Sequence, residues 1–120
     1  MQVVELVKEY RFEAAHLLPH VPPGHKCARL HGHSFKFEIH VTGPVDPHTG
    51  WLIDFGVLDD VVMPIVNELD HHYMNEIPGL ENPTSEVTVK WLFDRIKAKL
   101  PQLTAITFYE TVDARCVYRG

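Results

Sequence analysis

The chain has 120 residues; 45 % are hydrophobic and 22 % charged, and 11 Lys plus Arg against 16 Asp plus Glu leave a net charge of −5. That balance is that of a globular domain with one core and excludes a disordered or collagen-like chain. It also argues against broad nucleic-acid binding, which rewards clustered cations. One domain over residues 1–120 is the expectation at this length. Glu5, Lys8 and Glu9 interrupt any apolar run near the start, so neither a secretory signal nor a membrane span is expected, and cytoplasm is the default compartment. Two cysteines, Cys27 and Cys116, fit that setting as free thiols.

Residues 3–16 alternate: Val4, Leu6, Tyr10, Phe12 and Ala14 share one face with Lys8 as the exception, and Glu5, Glu9, Arg11 and Glu13 share the other. This is strand periodicity with one wet face, and His16 falls on the apolar side by parity. Three prolines and a glycine make 17–30 a loop. Residues 31–42 alternate again, with His31 and His33 in register with Phe35, Phe37, Ile39 and Val41. Gly43 to Gly50 form a break and turn. Asp54 is placed to cap a helix carrying Leu58, Val62, Ile65, Val66 and Leu69, kinked at Pro64. A second helix opens near Asn82–Glu86, capped by Asn82 or Thr84, with Val89, Leu92, Phe93, Ile96 and Leu100 as its stripe and Pro101 as its end. Two strands, about 103–111 and 114–119, complete a β-β-α-α-β-β order. That order describes an α+β fold, a four-stranded antiparallel sheet with two helices on one face. Its two open edges favour association with other copies.

His31-Gly32-His33 puts two imidazoles on one side of a strand with no bulk between them, and His16 ends the preceding strand in the matching register. Three neutral imidazoles are a ligand set for catalytic zinc with one position left open, although iron, copper and nickel also accept them. The plainer account makes His31 and His33 polar residues at a strand end. Cys27 lies in the stretch from Gly24 to Arg29, where Lys26, Arg29 and a nearby metal could favour a thiolate. It could be a base or nucleophile, a fourth zinc ligand or a small buried residue, and the sequence leaves these comparable. Asp70 could orient His71 for proton transfer, though spacing alone favours a solvated helix end. Glu110 continues the apolar register of Ile106 and Phe108. It could hold the amidine-like edge of a heterocycle through paired hydrogen bonds, or be exposed at the strand end.

Together, Cys27-x-x-x-His31-Gly32-His33, upstream His16, Asp70-His71 and late Glu110 resemble the 6-pyruvoyl-tetrahydropterin synthase superfamily. The stretches from His25 to Phe35, Val45 to Trp51, and Leu69 to Tyr73 through Glu86 look like its bacterial branch in queuosine biosynthesis. The resemblance implies the tunnelling fold (T-fold), with subunits joined edge to edge into barrels, commonly hexamers of two trimers. It implies Zn2+ at His16, His31 and His33, and a catalytic thiol at Cys27. Asp70 and His71 would work with that thiol, from a neighbouring subunit where the family so arranges it. Glu110 would anchor the pterin ring. The implied reaction converts 7,8-dihydroneopterin triphosphate to 6-carboxytetrahydropterin, acetaldehyde and triphosphate. The partners are then a pterin triphosphate and further copies of the chain, with no nucleic acid or membrane.

Overall fold

A computed structural model describes all residues, 1–120. Two long strands form its spine, β1 (Val3–His16) and β2 (His31–Pro44), paired antiparallel from Val3 opposite Pro44 to His16 opposite His31. Strand β4 (Leu103–Tyr109) pairs antiparallel with β2 across a register shift at His40/Val41, and β5 (Arg115–Tyr118) pairs with β4. The sequence predicts four strands; the sheet has five. The extra one is β3 (His72–Tyr73), two residues parallel to Ala14–Ala15, and the order is β3-β1-β2-β4-β5. Two residues carry no period for a sequence reading to detect. This strand exists because the exit of the first helix runs against the edge of β1.

Helices α1 (Phe55–Leu69) and α2 (Ser85–Lys97) cover one face of the sheet. Asp54 caps α1, its carboxylate accepting from Gly56 N–H, and Thr84 caps α2 by accepting from Val87 N–H. Pro64 lies within α1 on its exposed side, and the helix continues through it to Leu69. The lost backbone bond thus falls where water can serve the freed carbonyl. Leu58, Val62, Ile65, Val66 and Leu69 are buried against Tyr10, Phe12, Phe35, Phe37 and Ile39 of the sheet, in one core cluster of 22 residues.

Lys8, out of place in the apolar register, is explained by α1: its ammonium lies 3.3 Å from Asp59 and over the Tyr10 ring. The Tyr10 hydroxyl donates to the same carboxylate at 2.8 Å, and burial, with Asp59 beside it, pushes the phenol far up from its usual value. No helix is long and apolar enough to cross a membrane.

Candidate functional site

The core face does not stay apolar to its end. Where β1 stops and β2 begins, its register passes from Phe12 and Phe35 to His16, His31 and His33. Because the strands are paired in full, the parity that buries the phenylalanines gathers the imidazoles. One ring nitrogen from each lies within 4.8 Å of the others. Phe35, 1 % exposed, forms the floor, its ring centroid 5.3 Å from those of both His16 and His33.

Backbone carbonyls set the tautomers. His16 Nδ1 donates to Pro83 O at 3.1 Å, and His31 Nδ1 donates to Arg29 O at 2.7 Å. Each ring therefore keeps its proton on Nδ1, and each Nε2 presents a lone pair. Those two Nε2 atoms face each other at 3.0 Å, where two acceptors cannot satisfy one another. Burial, the largest influence on both rings, lowers the pKa of His16 and His33 and keeps them neutral. Neutral imidazoles with converging lone pairs fit a divalent cation, and the three histidines could hold one.

Cys27 sits on a short turn of 3-10 helix, Lys26–Ala28. His25 Nδ1 accepts from Cys27 N–H at 3.0 Å, and Cys27 O accepts from Leu18 N–H at 2.7 Å, pinning the loop against the end of β1. The half-buried thiol lines a cleft of about 430 Å³ with Lys26, His31, His33, Glu110 and Thr111. Of the basic residues near it in sequence, Lys26 reaches this cleft, whereas Arg29 gives its carbonyl to His31 and His25 gives its ring to the turn as an acceptor. Glu110 turns inward, as its parity predicts: Oε1 is 3.5 Å from His16 Nε2, and Oε2 accepts from Ser85 Oγ at 3.3 Å.

Asp70 and His71 form a pair, with His71 Nδ1 donating to Asp70 Oδ2 at 2.8 Å. Asp70 Oδ1 also accepts from Glu13 N–H at 2.8 Å, and His71 N–H donates to Glu13 O. These bonds tie the end of α1 to β1 and hold His71 at φ 59°, a left-handed conformation uncommon for a residue with a side chain. The backbone donor at Glu13 and then the His71 ring hold the Asp70 carboxyl below its usual range.

This pair does not enter the Cys27 cleft. His71 lines a second depression of about 550 Å³ with Glu13, Ser34 and His72, and the two hollows share only Gly32 and His33. Within one chain the structure therefore joins His16, His31, His33, Cys27 and Glu110, and leaves Asp70–His71 outside, with the His71 side chain 78 % exposed. Sequence reading missed Phe35 as the floor, Ser85 as the partner of Glu110, and the carbonyls of Arg29 and Pro83. Parity could have found the first; nothing local marks the others.

A family model for 6-pyruvoyl tetrahydropterin synthase matches residues 5–120. The 6-carboxy-5,6,7,8-tetrahydropterin synthase of Synechocystis sp. is 41 % identical over 94 % of this chain and 91 % of its own length. That of Bacillus subtilis is 32 % identical over 96 % and 84 %. The 6-pyruvoyl tetrahydropterin synthase of Caenorhabditis elegans superposes with a TM-score of 0.93 at 24 % identity, covering 100 % of this chain and 97 % of that one, which establishes the T-fold. With strand order, histidine cluster and sequence in agreement, the chain belongs to the 6-pyruvoyl tetrahydropterin synthase family.

Proposed function

We propose that residues 1–120 act as one zinc-dependent carbon–carbon lyase that converts 7,8-dihydroneopterin triphosphate and water to 6-carboxy-5,6,7,8-tetrahydropterin, acetaldehyde and triphosphate, the water supplying the second carboxylate oxygen, in the cytoplasm and for queuosine biosynthesis. One observation carries the reading. Two carbonyl-fixed imidazoles direct bare Nε2 atoms at each other across 3.0 Å, beside a third histidine and a free thiol in one cleft. The relatives from Synechocystis sp. and Bacillus subtilis, matched over 91 % and 84 % of their length, bear the name of this activity.

His16, His31 and His33 hold the metal, which when bound supplies Lewis-acid polarisation of the substrate's side-chain oxygens. Glu110 accepts paired hydrogen bonds from the amino and ring N–H edge of the pterin and so aims the side chain at the histidines. Cys27, as thiolate, takes the proton from the side-chain carbon that must lose it. Lys26, the cation in the cleft, faces the triphosphate. His71, oriented by Asp70, exchanges protons with the side-chain hydroxyls. Because His71 opens into a hollow that does not reach Cys27, the pair serves the thiol of a neighbouring copy, in a hexamer built from two trimers. Activity then depends on assembly.

The test is incubation of the purified, zinc-loaded protein with 7,8-dihydroneopterin triphosphate and mass spectrometry of the products. Acetaldehyde with the 6-carboxy pterin is the expected result. A 6-pyruvoyl product with its three-carbon side chain intact would refute the lyase assignment, and unchanged substrate would refute the activity altogether.

A further inference from the structure

Strand β3 ends early. Its pairing sets Ala14 opposite His72 and Ala15 opposite Tyr73, and the chain then leaves the edge of β1 through a turn of 3-10 helix, Met74–Glu76. Continued in the same register, the ladder would set Leu17 opposite Asn75, and the Asn75 side chain stands in for the missing strand. Its Oδ1 accepts from Leu17 N–H at 3.0 Å, and its Nδ2 donates to Leu17 O at 2.9 Å. The same Nδ2 also donates to Glu81 O at 3.3 Å. An asparagine that served only its own turn would bond within it, whereas this amide reaches main chain 58 positions away. Both of its partners border His16. Leu17 follows it directly, and Glu81 precedes by two residues the Pro83 whose carbonyl takes the His16 Nδ1 proton. The turn at Glu81 is itself closed, because its Oε2 accepts from Gly79 N–H at 2.6 Å. Beyond Leu17, the Leu18 N–H is held by Cys27 O.

We propose that Asn75 is the positioning residue of His16: one amide fixes both the main chain that carries the ring and the loop that supplies its acceptor. The proposal deepens the function argued above and rests on its metal assignment. An imidazole is aimed by the origin of its side chain and by the partner of its far nitrogen. For His31 both are local, since the acceptor is the carbonyl of Arg29, two residues back. For His16 the acceptor lies 67 positions away, so two distant segments must be kept in step. Asn75 bonds both of them. Without its amide, water takes those bonds, the end of β1 loosens, and Pro83 O drifts from Nδ1. By linkage, a metal bound at His16 tightens this clamp by the same factor as the clamp tightens the metal.

The experiment uses the intact protein. Asn75→Ala removes all three bonds, and Asn75→Asp keeps the size and the acceptor for Leu17 N–H but offers the two carbonyls no donor. Stripped of metal and titrated with Zn2+ against a competing chelator, each variant is expected to show a dissociation constant raised about tenfold or more. In the metal-free variants, nitrogen-resolved NMR of the His16 ring at about pH 8, where imidazole is neutral, should show its proton no longer confined to Nδ1. Val41→Ala controls for stability. It truncates a fully buried residue toward the far end of β2 from His31, and should lower Tm while leaving both readouts as in the wild type. Zinc affinity within twofold of wild type in the Asn75 variants, or a His16 proton that stays on Nδ1, would overturn the proposal, as would an equal loss in Val41→Ala. A further arm needs no variant: in the wild type, Leu17 N–H should exchange with solvent about tenfold more slowly once Zn2+ is bound. Exchange that Zn2+ leaves unchanged would overturn the coupling. His31→Ala separates the two failures. Metal that the wild type does not take up, or that His31→Ala still takes up, counts against the histidine site, and the His16 proton, read without metal, then still judges Asn75.

Discussion

Phe35→Ala tests the join between core and site. Phe35 is 1 % exposed, and its ring packs against four others: Phe12 at 5.1 Å, Phe108 at 5.5 Å, and the His16 and His33 imidazoles at 5.3 Å each. Truncating a fully buried phenylalanine costs about 3–5 kcal/mol, from lost transfer energy and from the cavity left behind. A chain of 120 residues has an unfolding entropy of about 0.25 kcal/mol per kelvin, so each kcal/mol moves Tm by about 4 °C. The expected loss is therefore roughly 12–20 °C. Thermal unfolding of the metal-free protein by circular dichroism measures it, since bound metal would mask part of the change. Phe35→Leu, which keeps an apolar floor, should melt between the two. Its Zn2+ affinity should still fall, because a branched aliphatic chain does not support two imidazoles edge-on. A Phe35→Ala protein melting within about 3 °C of wild type would refute the claim that this ring bears both loads.

Zn2+ at a hundredfold excess over its dissociation constant should stabilise the wild type by about 2.7 kcal/mol and leave His31→Ala unmoved; a shared Tm rise would place the metal elsewhere. Cys27→Ala should retain one equivalent of zinc and the oligomer, while turnover drops by about a hundredfold or more; near-normal turnover would remove the thiol from the reaction. In the metal-free protein the lowered pKa values of His16 and His33 mean that the unfolded chain binds protons the native state refuses. Their contribution is full above the ordinary imidazole pKa of about 6.5 and is lost as pH falls through the depressed native values. Urea unfolding at pH 7.5 and 5.5 reads that loss. A His16→Gln, His33→Gln double variant should show a shallower decline, and an identical decline would assign the effect to other groups.

Much of the site was legible because it is written in a strand period. His16, His31, His33 and Glu110 lie in the registers of Phe12, Phe35 and Phe108, and full-length pairing of β1 with β2 turns parity into proximity. The caps at Asp54 and Thr84 were legible for the same local reason. What depends on chain path was not. β3 is made by the docking of the α1 exit on β1, and Ser85 meets Glu110 only once α2 lies over the β4–β5 hairpin. The separation of Asp70–His71 from Cys27 is likewise tertiary. Lys8 and Pro64 broke local rules, and each is resolved by its surroundings, Asp59 for one and the exposed side of α1 for the other.

The oxygens that hold the protons of His16 and His31 belong to peptide units at Pro83 and Arg29. Replacing either residue exchanges a side chain and spares the acceptor. Drift in sequence at these two places can therefore proceed without disturbing ring orientation, provided the route of the main chain is preserved. An insertion or deletion between β1 and β2, or ahead of α2, is the lesion to which this anchoring is vulnerable.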